Sequence, residues 1–489
     1  MTAVFGQDEQ QAVLRAGIAE FDTDNASYFS AFENEVEPLL IVRPETVQQV
    51  QDLNKSLRPH VLDGSLKLAV RGTGHTPFAG SANVQGGLTV DMRRLKGINL
   101  SVDGSTVEMA AGETWGSVYA EWKKHGLTTA GARASAVGVA GSILGVSQGS
   151  LTDTGLSEGA LSLYSSRTGF GCDAVTEFKI VLASGEHVST SHTSNPDLWA
   201  ALKRGPNNFG IVTFITMKTF ASDDIWGGIT FYQPGTFSQL LQAACDLLRN
   251  ESDEDIHFMC SAGYGFGQQV VSCVMYYTAG QIDPPPLHRF TSIQPQIEQI
   301  NTMRVSKHLG FAGGCPSFPA WVGAFGRSYW ATITVKPDLP LINAFHDRWQ
   351  ETLPKINDAQ GLTFSFGFHP LTKMTLAKSE AAGPNTMDVS PSDGPLFVVL
   401  INPSWKLAQD DDRIFGAIEA LMAELRQLAS DKGLLHRYIF TKYAYHKDDV
   451  LARYGTASCE KLTVASKIYD PEGFLQTGVP GGFMLSKAH

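Results

Sequence analysis

Arg71-Gly72-Thr73-Gly74-His75-Thr76-Pro77 is the stretch on which the reading of this chain turns. The residues just before it, LKLAVRG at 66–72, read as a strand that runs into a glycine-rich turn. Glycine lets backbone N–H groups approach a phosphate closely and form an anion-binding nest. The turn is not a dinucleotide fingerprint. Gly72 and Gly74 fit GxG, but Pro77 stands in place of the third glycine and no helix opens there. Taken alone, the run is a glycine turn and His75 an ordinary loop histidine, so its meaning depends on its surroundings.

Working outward, the first half alternates helix and strand signals. Pro44 opens a helix that carries Val47, Val50 and Leu53 at helical spacing. GLTVDM (87–92) and STVEMAAG (105–112) alternate as strands do. Residues 115–125 read as a helix with Lys123, Lys124 and His125 in its last turn and Gly126 as its stop. Residues 177–191 form a hairpin around Ser184-Gly185, Asn195-Pro196 starts a helix to Leu202, and 209–220 is a long strand. Two further runs are rich in small residues. In 131–142 (GARASAVGVAGS) the density of small side chains lets a flat, bulky ligand lie against the backbone, or else makes a long surface loop. The other, Gly205-Pro206-Asn207-Asn208-Phe209-Gly210, reads by itself as a helix stop and turn.

A polar break at Ala221-Ser222-Asp223-Asp224 separates this half from a second α+β layer. That layer holds a helix at 237–250, strands near 257–263, 269–277 and 394–402, and a long amphipathic helix at about 411–430. The closing YDPEGFLQTGVPGGF reads as an extended tail without strands.

Composition narrows the function classes. The 489 residues are 43% apolar and 18% charged, enough to bury a large core and to exclude a disordered chain. Net charge is −11, without a basic cluster, which argues against nucleic acid as a partner. No run of 18 apolar residues argues for a membrane span. The six cysteines are scattered without a CxxC pair, against a zinc site or a dense disulfide scaffold. The N-terminus lacks the basic and apolar regions of a signal peptide, so the chain reads as cytoplasmic unless trimmed from a secreted precursor.

Taken together, the ordered motifs resemble the flavin-linked oxidases of the vanillyl-alcohol oxidase family, and more closely its berberine-bridge-enzyme-like members of fungal secondary metabolism. The marks are Glu37-Pro38 before LLIVRPETVQQV, the RGTGH turn, GLTVDMRRL, AAGETWGSVY, HGLTTAGARASAVGVAGSILG, GALSLYSSRTGFGCDAVTEFKIVLASGE, NPDLWAALKRGPNNFGIVT and YDPEGFLQ. They cover nearly the whole chain. The resemblance implies an α+β fold: a PCMH-type FAD-binding domain over 1–221 (core about 35–221), a central substrate domain over 222–432, and a segment, 433–489, that completes the first domain. It implies that FAD is held by Arg71, Gly72, Thr73, Gly74 and His75, by Gly131, Ala134, Ser135, Gly138, Gly141 and Ser142, and by Asn208, Gly210 and Val212. His75 matches the histidine that such enzymes bond to the flavin 8α-methyl, a link that retains the cofactor and raises its potential. Where relatives add a cysteine link at C6, this chain has Ala134, so a single linkage is expected.

Two departures follow. VSQGSLTDTGLSE, Val146 to Glu158, interrupts a segment that is usually continuous and reads as a polar loop, either a tolerated surface insertion or a gate. Lys442 stands where relatives often have asparagine, and strand alternation would turn it toward solvent or the flavin edge.

For catalysis the resemblance points to Tyr443, in YIFTKYAYHKDDV, which can orient a substrate hydroxyl or take its proton. His369, in FSFGFHPLT, is the second candidate, against the plainer reading of a structural histidine in a sheet. Phe364, Phe366, Phe368, Tyr329 and Trp330 read as core in preference to pocket wall. The expected activity is an FAD-dependent oxidation, desaturation or oxidative cyclisation of a small apolar or phenolic molecule, with O2 as acceptor. The alternatives are a non-redox cyclase or isomerase that keeps FAD, of the Diels–Alderase kind, and a carbohydrate oxidase.

Overall fold

The computed structural model describes residues 1–145, 161–203, 205, 208–250, 253–313, 326–384 and 386–487. The reading of 146–158 as a loop lies outside the described residues.

Among the described residues, a four-stranded, a five-stranded and a large nine-stranded sheet, with a two-stranded ribbon of Leu127–Thr128 and Phe220–Ala221, make up the α+β architecture. In the first, Leu40–Val42, Leu88–Asp91 and Leu68–Arg71 run parallel, with Val13–Arg15 antiparallel on the edge. Parallel neighbours need a crossover, and the helix Val47–Leu62 supplies it between Leu40–Val42 and Leu68–Arg71. Its start is set by a capping box between Thr46 and Gln49, and Val50, Leu53, Leu57 and Val61 form its buried face. The second sheet is antiparallel, in the order Ile98–Leu100, Thr106–Ala110, Ile211–Lys218, Val175–Val181, His187–Ser191.

The large sheet begins at Ile225, directly after the polar break. Its central strands are Ile225–Tyr232, Gln268–Tyr277, Ile256–Gly265, Thr363–Leu371, Leu396–Trp405 and Ala331–Val335, all antiparallel to their neighbours. Helices Phe237–Asn250, Leu339–Thr352 and Asp411–Asp431 pack together and on this sheet. Strand alternation then sorts the side chains. Phe364, Phe366 and Phe368 are fully buried, and Phe366 and Phe368 meet Phe237 on the helix side while Trp349 meets Phe364 and Phe366. They are core, as their alternation suggests. His369 therefore points to the opposite face, and this places it at the site.

The C-terminal segment departs from expectation. Where an extended tail was read, Phe474–Gly478 is a helical turn after the long helix Thr456–Tyr469. Asp470 sets this: its carboxylate accepts from the backbone N–H groups of Phe474 and Leu475, both at 2.8 Å, capping the turn's first donors. The tail then closes over the N-terminal half. Gly481 lies so near Gly80 that a Cβ there would come within 1.5 Å of the Gly80 carbonyl oxygen.

Candidate active site

A cavity opens at the end of the strand Leu68–Arg71. Gly72, Thr73, Gly74, His75 and Thr76 line one side, Ser81, Ala82, Met92 and Ala111 another, and Ala140, Gly141, Leu144, Gly210, Ile211 and Val212 the rest. The glycine turn is shaped by sterics. Gly74 has φ 80°, and a Cβ on it would come within 2.7 Å of the Tyr28 ring and 3.0 Å of the Arg71 guanidinium. Its carbonyl accepts from the Phe29 N–H at 3.0 Å, and the Phe29 ring stacks on the His75 ring at 5.5 Å.

His75 is half-buried at this turn. Its Nδ1 is shielded from water and has no hydrogen-bond partner. Desolvation and then the charge of Arg71 hold its pKa down at about 4, so the ring is neutral at pH 7. Thr73 Oγ1 and Ser81 Oγ are likewise buried without a partner. Buried polar atoms are normally satisfied, so three orphans beside one cavity mark the place of a polar ligand. A neutral imidazole, two hydroxyls and a glycine backbone fit a dinucleotide cofactor.

The structure divides the other expected cofactor residues. Gly72, Thr73, Gly74, His75, Gly141, Gly210 and Val212 line the cavity. Gly138 packs on Thr73, where a Cβ would come within 2.9 Å of Oγ1, and Gly131 is pressed against Trp115. Ala134 is buried and Ser135 joins backbone bonds to Gly116 and Ala312. Three residues are engaged elsewhere. The Arg71 guanidinium binds Asp24 Oδ1 at 3.1 Å and the Ser27 carbonyl and hydroxyl at 2.9 and 2.8 Å, and lies 3.5 Å over the Tyr28 ring. It braces the turn from behind. The Ser142 hydroxyl accepts from Trp115 Nε1 at 2.6 Å and donates to the Val139 carbonyl at 2.8 Å. Asn208 fastens the tail. Its Oδ1 accepts from Gln476 Nε2 at 2.8 Å and the Leu485 N–H at 3.0 Å, and its Nδ2 donates to the Phe483 carbonyl at 3.1 Å.

The two catalytic candidates meet. The Tyr443 hydroxyl lies 3.2 Å from His369 Nδ1, both residues buried, and Tyr443 also packs on Phe440 and Trp330. Tyr443 stands in a turn, its N–H bonded to the Phe440 carbonyl at 2.9 Å, and not on a strand. The alternation argument for Lys442 fails for this reason, and Lys442 is buried, at 1% exposure, instead of facing solvent.

Two functional-looking residues escaped sequence reasoning. Arg133 is buried and its Nη1 donates to His257 Nε2 at 2.7 Å. Arg133 carried a signal: it is the lone charged residue in a long run of small and apolar ones. His257, a single histidine in a strand, carried none. Burial, then the charge of Arg133, push the pKa of His369 well below its usual value. Among the described residues there is no cluster of three metal-ligating side chains, and no helix is long and apolar enough to cross a membrane.

This cradle, joined to a large antiparallel sheet that presents a Tyr–His pair, defines a flavoprotein oxidoreductase. A family model described as an FAD binding domain matches residues 38–191. FAD-dependent monooxygenase tpcD of Cochliobolus heterostrophus is 31% identical over 430 residues, covering 86% of this chain and 80% of the relative. In fold, the chain matches Physcomitrella patens BBE-like 1 with a TM-score of 0.71 at 18% identity, covering 96% of each chain. It matches the glucooligosaccharide oxidase of Acremonium strictum, which holds a 6-S-cysteinyl, 8α-N1-histidyl FAD, with a TM-score of 0.74 at 17% identity, covering 94% of this chain and 95% of that one. The chain belongs to the family of FAD-dependent oxidoreductases that includes the fungal monooxygenase of Cochliobolus heterostrophus, and it has the fold of the berberine-bridge-enzyme-like oxidases.

Proposed function

We propose that this chain is an oxidase of a small secondary-metabolite-type molecule, carrying FAD tethered once, through His75. The observation that carries the tether is the neutral His75 ring, whose Nδ1 is buried beside the cavity without a protein partner. A neutral imidazole nitrogen is a competent nucleophile. The Acremonium oxidase carries its FAD through both a histidyl and a cysteinyl link. This chain has Ala134 where the cysteine is expected, so one bond is the reading here.

Bound FAD supplies a two-electron acceptor, with O2 as the final oxidant. The protein's own part is the proton. The Tyr443 oxygen takes a proton from a substrate hydroxyl as its own passes to Nδ1 of His369, 3.2 Å away. His369 is neutral, with an Nδ1 lone pair open to that proton, and burial with the charge of Arg133 makes the imidazolium an unfavourable state that must pass the proton on. The aromatic shell of Trp330 and Phe440 around Tyr443 excludes water from this transfer.

The Cochliobolus relative, an FAD-dependent monooxygenase, favours a second reading, monooxygenation. One experiment separates the possibilities. Candidate substrates are added to the yellow holoprotein without oxygen, then air is admitted. An oxidase bleaches, then recovers its colour with one peroxide per product and no external reductant. A monooxygenase leaves substrate unconverted until a reductant and oxygen are both present. Product formed with an unchanged flavin spectrum and no oxygen demand overturns the oxidase reading for a cyclase or isomerase.

A further inference from the structure

Arg133 presents a problem that the cofactor cradle does not solve. It is 2% exposed, and two of its three guanidinium nitrogens, Nε and Nη2, are buried without a hydrogen-bond partner. No carboxylate pairs with it among the described residues. Its one partner, His257 Nε2, must be an unprotonated acceptor, because arginine only donates. His257 is therefore neutral and leaves the positive charge uncancelled. An uncompensated buried cation is among the most costly arrangements in a folded chain. A fold keeps one where an anion arrives to complete it.

The location says which anion. Arg133 does not line the cavity of the glycine turn. It reaches instead to His257, on the strand Ile256–Gly265. That strand pairs with Thr363–Leu371, which carries His369. Strand register puts His257 and His369 on the same sheet face, so the guanidinium lies on the Tyr443–His369 side of the site. The adjoining sheet positions are small: Ser261 faces Gly367 in register, and a Cβ on Gly263 would meet nothing within 4 Å.

We infer that Arg133 anchors an oxyanion of the substrate, a carboxylate or an ionised acidic enol, beside the Tyr443–His369 pair. This deepens the oxidoreductase reading and rests on it. A planar guanidinium with two nitrogens free matches two oxygens held in one plane. The substrate class becomes an apolar or phenolic body bearing one acidic oxygen group, and an occupied site also shields His369 from the Arg133 charge.

Binding tests this without turnover. The holoprotein is titrated with benzoate and with benzamide, its neutral counterpart of the same shape, following the flavin absorbance. Wild type binds benzoate at least about 10-fold more tightly than benzamide, the scale of a hydrogen bond to a charged group. Arg133→Gln weakens benzoate by about 10- to 100-fold, leaves benzamide unchanged and keeps the full flavin content. Arg133→Lys, which keeps the charge without the fork, falls between. Equal binding of the two probes by wild type, no benzoate binding, or full benzoate affinity in Arg133→Gln overturns the assignment. Loss of flavin from a folded Arg133→Gln shows that the arginine serves the cofactor and overturns it as well. If that variant does not fold, the wild-type probe pair and Arg133→Lys decide. Because no electron moves, a failed bleaching experiment and a failed benzoate titration are independent results.

Discussion

The Tyr443 hydroxyl and His369 Nδ1 lie 3.2 Å apart, although 74 residues separate them in the chain. One comes from a turn in the C-terminal segment and the other from the open face of the large sheet. Neither is remarkable alone. Together they form a buried hydrogen-bonded pair, and replacing Tyr443 tests its proposed role in proton transfer. Tyr443→Phe keeps the ring that packs on Phe440 and Trp330. Folding and flavin spectrum persist, and turnover falls by roughly 10²-fold, the scale of general acid–base catalysis. Steady-state kinetics on a true substrate check this, and unchanged turnover moves the proton acceptor elsewhere.

His75 carries the cofactor prediction. Acid-precipitated wild type retains its yellow colour, and His75→Ala releases FAD into the supernatant. Peptide mass mapping finds flavin on one peptide, the one containing His75. Among the described residues, Cys172, Cys245, Cys260, Cys273 and Cys459 form no disulfide, and each is expected unmodified. A flavinylated cysteine contradicts the single linkage.

Stability should fall with pH on the acid side. His75 is held down at about 4 and His308 at about 3, and His257 and His369 lie well below their ordinary value, all chiefly by burial. From about pH 6.5 downward the unfolded chain protonates these histidines while the folded chain does not, so folding loses stability as pH falls through that window. Glu33 opposes this. Burial pushes its pKa up to about 7, so the folded state takes up its proton first and gains stability over the same range. Asp24, Asp448 and Asp470, whose carboxyls burial also holds up, act with Glu33. His187, His346 and His446, held down by burial, act with the other four histidines, and the histidines outnumber the carboxyls. The apo-protein therefore has a lower Tm at pH 5 than at pH 7, and His308→Gln flattens the slope. Differential scanning fluorimetry across pH reads both, and a Tm that rises on acidification refutes the balance.

Asn208 holds the tail. Asn208→Ala strands the Gln476 amide, the Leu485 N–H and the Phe483 carbonyl, each of which bonds to its side chain. A stranded buried polar group costs about 1–3 kcal/mol. The variant shows a lower Tm and faster chymotryptic cleavage near Phe483. Cleavage at the wild-type rate shows that the tail is held by packing alone.

Much of this was legible in the chain. Helix Phe237–Asn250 coincides with its apolar periodicity, and the hairpin Val175–Val181 with His187–Ser191 turns at Ser184-Gly185 as its residues require. These rest on local rules of spacing and turn chemistry that act within a few residues. The glycine turn was legible for the same reason: only glycine accepts both the φ and the crowding at Gly74. The helical turn Phe474–Gly478 was missed because Asp470 caps it within a segment whose glycines and prolines read as breakers.

The sequence by itself determined the α+β class, the flavin-binding lineage and the identity of His75, Tyr443 and His369 as candidates. Those are matters of residue type and order along the chain. The tertiary structure alone decided which polar groups are satisfied. It turned Arg71 to Asp24 and Asn208 to the tail, and it left His75 Nδ1 and two nitrogens of Arg133 buried without partners. Whether a charge or a lone pair is met depends on groups brought from distant strands into a space that water cannot enter, and no local pattern encodes that meeting.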